Sequence, residues 1–75
     1  MEFKALRVVA LTEDVANNLE ATLSNLSGVK KFAIAVETQE LNIIFDEHQL
    51  SFRMLVKEMA KAGCPLKNID AALLL

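Results

Sequence analysis

The chain has one cysteine, Cys64, one proline, Pro65, two glycines, and no tryptophan or tyrosine. A single cysteine excludes an internal disulfide framework and suits a reducing compartment. Two isolated glycines, Gly28 and Gly63, leave no glycine-rich loop to cradle a phosphate. One histidine, His48, and one cysteine far from it in the chain assemble no Ser-His-Asp or Cys-His set, so no enzyme is expected. Charge of one sign is also lacking: ten acidic against eight basic residues give a net charge of −2, with no electrostatic reason to expect nucleic acid. The longest early apolar stretch, Val8 to Leu11, is too short for a signal-peptide core or a membrane span. A cytoplasmic protein without membrane contact is the expectation.

What remains is an apolar, regularly patterned chain. Its 75 residues suffice for one domain, 1–75, and 53% of them are hydrophobic. A domain of this size buries roughly 60% of its unfolded surface, so that content is needed for a filled core. Phe3 to Leu11 is a β-rich apolar run interrupted only by Lys4 and Arg7. Thr12 is placed to cap a helix by accepting a hydrogen bond from a free amide, with Glu13 and Asp14 at the positive end of the helix dipole. Val15, Leu19, Leu23 and Leu26 follow as one helical stripe, and Gly28 is placed to end that helix with a positive φ.

Phe32, Ile34 and Val36 alternate, Glu37-Thr38-Gln39-Glu40 turns the chain, and Leu41, Ile43 and Phe45 alternate again, which predicts a hairpin. Asp46 to Leu50 is a polar connection. Ser51 caps a second helix, with Leu50 and Leu55 as a hydrophobic staple and Phe52, Leu55, Val56 and Met59 as its apolar stripe. Gly63 stops it and Pro65 prevents its continuation. The tail, residues 69–75, reads as a last strand, although Ala71-Ala72 also tolerates helix. Strand, helix, strand, strand, helix, strand with right-handed crossovers predicts an α+β, ferredoxin-like βαββαβ sandwich: a four-stranded antiparallel sheet with two helices on one face.

The stretch from Val15 to Val29, with its leucines leading to Gly28-Val29, then Phe32, Ile34 and Val36 and later Ala62-Gly63, resembles the heavy-metal-associated (HMA) domain family of copper chaperones and metal-pumping ATPase modules. The similarity covers about residues 5–70. Members of that family hold soft metal ions between two cysteines of a Met-x-Cys-x-x-Cys loop before the first helix. Counting back from Gly28 places the Met at Ala10 and the cysteines at Thr12 and Val15, so the thiolate pair is missing. The family's inward first-strand residues would land on Ala5 and Arg7, whereas Leu6 and Val8 are the better core candidates. Either the loop is a residue shorter than the family's, or the alignment is displaced there.

Soft ions such as Cu(I) favour thiolate and thioether ligands, and neither a threonine hydroxyl nor a valine replaces one. Thr12 is therefore read as a helix cap and Val15 as a core residue. Cys64 is the remaining metal candidate, because the topology brings it to the same end as the vacated loop; two copies could clamp an ion between their cysteines. As a single thiol it also reads as a small buried hydrophobe. His48 sits in the connection before the second helix, separated from Cys64 by about eleven helical residues, or roughly 16 Å, and reads as an exposed loop residue. Glu13, Asp14, Glu37 and Glu40 gather near the vacated loop without any calcium-loop spacing. Arg53, Lys57 and Lys61 make a basic stripe on the second helix, opposite in charge to the first.

If the alternating residues named above face the helices, Ala33, Ala35 and Ile44 point outward, joined by positions from among Val9, Leu11 and Leu73 to Leu75. An apolar patch of that kind marks an interface candidate. The function expected is a non-enzymatic binding or interaction module resembling a metallochaperone domain without its thiolate site, with a protein partner or self-association through the outer sheet face and no cofactor. The alternative is a Cu or Zn binding or transport protein with an unconventional site at Cys64, shared across a homodimer. Amino-acid sensing lacks its usual glycine in the first loop, and RNA binding lacks exposed stacking aromatics, since Phe32 and Phe45 are assigned to the core.

Overall fold

A computed structural model describes residues 1–65 and 69–70. The elements are β1 (Glu2–Val8), α1 (Glu13–Ser24), β2 (Val29–Ala35), β3 (Glu40–Phe45), α2 (Phe52–Lys61) and β4 (Ile69–Asp70). The sheet order is β2-β3-β1-β4, antiparallel throughout. Three long strands carry it. The expected fourth strand is, among the described residues, a two-residue pairing of Ile69 with Val8 and Asp70 with Arg7. Whether 71–75 is strand or helix lies outside the described residues, and so do the outer-face positions assigned to Leu73–Leu75.

Alternation decides which side of the sheet the helices cover. Leu6 and Val8 of β1 and Leu41, Ile43 and Phe45 of β3 are buried, as are Leu19 and Leu23 of α1 and Leu55 and Met59 of α2. Each contributes about 1.5–3 kcal/mol of apolar burial. Phe32 and Ile34 point the same way from β2 but stay half-buried, because β2 is an edge of the sheet. Val36 packs on this core from the turn that follows β2. β2 begins earlier than the alternation predicts, at Val29, and a bulge between Val29 and Lys31 hides the period there.

Two end signals behave differently. Gly63 (φ 96°) closes α2 in a Schellman motif: the Cys64 N–H donates to the Met59 carbonyl at 3.0 Å and the Gly63 N–H to that of Ala60 at 3.1 Å. α1, by contrast, ends at Ser24, before the expected Gly28. Short i→i+3 bonds, Asn25 N–H to the Thr22 carbonyl and Leu26 N–H to that of Leu23, finish it. Gly28 (φ 101°) instead serves the turn into β2, and its carbonyl accepts the Asp46 N–H at 2.7 Å.

Candidate functional site

The strand–helix loop of residues 9–12 is built by β1 running out at Val8 and by Ala10, which adopts a left-handed φ of 65°. That kink breaks the alternation of β1. Val9 is left exposed, and Leu11, expected among the outer-face positions, turns inward and is only 3% exposed. Leu6 and Val8 face the core, as the residues themselves suggest, and Arg7 faces solvent.

Thr12 caps α1. Its Oγ1 accepts the Val15 N–H at 3.2 Å, and its carbonyl accepts the Ala16 N–H at 2.8 Å. Val15 is half-buried against the core, and a methyl placed on Gly63 would meet its Cγ2 at 3.7 Å. Thus the end of α2 does lie against the start of α1, as the topology predicts. Cys64, next to Gly63, is buried with 1% exposure, and this burial pushes its thiol above the usual range. A thiol that stays protonated and inside the core is poorly placed to reach a second copy or an exposed ion.

The loop is held by a residue that the sequence does not advertise. Gln39 ends the β2–β3 turn in a left-handed conformation (φ 59°). Its Oε1 accepts the Leu11 N–H at 2.9 Å, and its Nε2 donates to the Leu11 carbonyl at 2.6 Å and to the Val36 carbonyl at 2.8 Å. Its own carbonyl accepts the Val8 N–H at 2.7 Å. Both amide protons and both carbonyls of this link are thereby satisfied. In a turn made of polar residues, nothing in the sequence distinguishes Gln39 from Thr38; only the spatial meeting with Leu11 does.

The other candidates do not converge. His48 is almost fully exposed; its Nε2 stands 4.0 Å from Glu47, and its backbone N–H donates to Asp46 Oδ1 at 3.0 Å. Asp46 is tied to Gly28, at the end of the sheet opposite the Gln39–Leu11 link. Glu13, Asp14, Glu20 and Glu37 are exposed, as are Arg53, Lys57 and Lys61. Lys61 pairs with Glu58 at 3.2 Å. Among the described residues, no group of three or more His, Cys, Asp or Glu side chains surrounds a common point.

The outer face of the sheet exposes the small side chains expected there and one large aromatic that was not. Ala33 and Ala35 are exposed and Ile44 is half-buried. Phe3, not assigned to this face from the sequence, pairs with Ile44 across β1 and β3 and is 60% exposed. Phe3, Ile44, Ala33 and the stem of Lys31 border a shallow groove of about 200 Å³. The alternation of Leu6 and Val8, followed back along the strand, was the signal that places Phe3 outside.

Residues 13–64 match the family model of the heavy-metal-associated domain. The match starts at Glu13, the first residue of α1, just after the loop that holds Ala10 and Thr12. No curated protein matches the chain. Among solved structures, the chain is similar to a copper binding domain from HMA7, a P-type ATPase, at 26% identity and a TM-score of 0.76, covering 87% of this chain and 89% of that one. It is also similar to oxidized MerP from Ralstonia metallidurans CH34, at 25% identity and a TM-score of 0.78, covering 95% of this chain and 96% of that one. With well over half its length in the family model and this fold shared along nearly all of it, the chain belongs to the heavy-metal-associated domain family.

Proposed function

We propose that this domain is a non-enzymatic protein-binding member of its family, one whose first loop no longer receives soft-metal cargo and whose working surface is the outer face of the sheet. The observation that carries this reading is the use made of positions 12 and 15. The Thr12 hydroxyl is committed to capping α1 and Val15 to the core, so neither offers a soft donor. The nearby thiol, Cys64, is buried. The donor set does not fit a Cu(I) or Zn(II) ion. The exposed Phe3 beside Ile44 supports the second half of the reading, since adjoining apolar side chains on a surface mark an interface.

Titration with Cu(I) against a colorimetric chelator, under reducing conditions, tests the cargo half. Wild-type protein leaves the chelator complex intact, as does Cys64→Ser. The double variant Thr12→Cys/Val15→Cys takes up one equivalent, because the two thiolates then stand one helical turn apart at the α1 N-terminus. One tightly held equivalent in the wild type sinks the reading.

A further inference from the structure

The register of β3 against β1 lays out the outer face as three rows: Ile44 beside Phe3, Asn42 beside Ala5, and Glu40 beside Arg7. Phe3, Arg7 and Asn42 are exposed, and Ile44, Ala5 and Glu40 are half-buried. On β3 and β1, one end of the face is thus apolar, with exposed Lys31 flanking it on β2. The middle is small and neutral. The other end carries Glu40 and Arg7 side by side, with Asp70 the backbone partner of Arg7 on β4. We propose that the partner of this face is a second copy of the chain, stacked sheet on sheet about a two-fold axis that runs along the strands between β3 and β1. This rests on the reading that the outer face is the working surface.

The axis exchanges the two columns and keeps the rows. Ile44 of one copy then meets Phe3 of the other, and the same contact recurs by symmetry. Glu40 of each copy meets Arg7 of the other, so four charges form a square of alternating sign. Ala5 sits opposite Asn42 and leaves room for the sheets to approach to about 10 Å. A two-fold running across the strands instead sets Ile44 on Glu40 and Phe3 on Arg7, burying charge against apolar groups. The charge pattern of this face is complementary to a second copy in the first orientation and not in the second.

Strand spacing and length bound the contact at roughly 300 Å² per copy and roughly 600 Å² in total. Stable complexes bury about 1,200–2,000 Å², so the dimer is weak and reversible. Its ionic square is partly exposed and weakens with salt.

Sedimentation of the full chain between about 20 μM and about 1 mM reads the association, a range suited to a weak complex. The mass of wild-type protein rises from 8.3 kDa toward its double, less steeply at high salt. Arg7→Glu and Glu40→Arg each place like charges across the axis, and each alone loses about tenfold or more in association, which is about 1.4 kcal/mol. Mixed in equal amounts they recover it, since the Glu40 of one then faces the Arg7 of the other, and likewise for the reversed pair; misfolded variants do not recover on mixing. Concentration-dependent amide shifts in the wild type, centred on Phe3, Ala5, Asn42 and Ile44, report the face without any substitution. A wild-type monomer throughout, shifts centred on the helices, or a mixture no better than its components overturns the proposal. The copper titration reads the cargo half of the functional reading alone, so a wild-type monomer overturns the dimer and leaves that half standing.

Discussion

At the residue scale, Gln39 and Gly28 each make one tertiary junction possible. Gln39 sits in a left-handed conformation that a long side chain disfavours, and its three side-chain hydrogen bonds to Leu11 and Val36 hold it there. Gln39→Ala leaves partly buried backbone groups of Leu11 without partners, at a cost of about 1–3 kcal/mol. For a domain this size that lowers Tm by roughly 4–8 °C per kcal/mol. Thermal unfolding checks it, and an unchanged Tm removes Gln39 from its role as the clamp of the first loop. Gly28 has a different constraint. A Cβ there would stand 2.8 Å from Leu50 Cβ, and the φ of 101° already disfavours any side chain. Gly28→Ala is therefore expected to cost more than the roughly 1 kcal/mol of a simple left-handed penalty, read as a lower urea midpoint.

At the scale of elements, the caps, stripes and hairpin were legible because each rests on neighbours in sequence. Thr12 and Ser51 both accept the N–H three residues on, as their positions before apolar stripes predicted. Leu50 is buried beside the start of α2, as a staple requires. The end of α1 was less legible, because Gly28 signals a turn as readily as a helix stop, and the closing bonds of Asn25 and Leu26 carry no sequence mark. The Asp46–Leu50 connection is also an element in its own right. Asp46 accepts the His48 backbone N–H at 3.0 Å and Gln49 Nε2 at 2.9 Å, and these bonds, the backbone one foremost, hold its carboxyl below the ordinary range. A depressed carboxylate contributes stability above its unfolded pKa and loses it as pH falls through the folded value. Wild-type stability is thus expected to decline below about pH 5, where acid unfolding of this kind sets in. Asp46→Asn should flatten that decline, measured as urea midpoint against pH; parallel curves overturn the assignment.

At the scale of the whole molecule, Cys64 reports on the fold. It is buried where the end of α2 meets the start of α1, and burial keeps its thiol protonated. A thiol reagent should label the native protein at least about a hundredfold more slowly than the urea-unfolded chain, because reaction waits for an opening event. Labelling at the unfolded rate shows that the end of α2 opens freely, and it revives Cys64 as an accessible ligand. The outer sheet face belongs to this scale as well. Ala33, Ala35 and Ile44 were readable from the alternation of β2 and β3, and Phe3 from that of β1, but the loss of Leu11 was not. It depends on the kink at Ala10, whose left-handed φ ends the period of β1 without a glycine to announce it.

Periodicity and cap chemistry are local, and they alone determined the order of elements, the inward faces of the strands and helices, and the want of a thiolate pair before α1. Tertiary structure decided what depends on segments far apart in the chain. Gln39 reaches Leu11 across the loop end, Cys64 is sealed inside rather than presented beside Thr12, and Phe3 comes to lie next to Ile44. Such meetings follow from strand register and from a single backbone kink, and neither leaves a pattern among neighbouring residues.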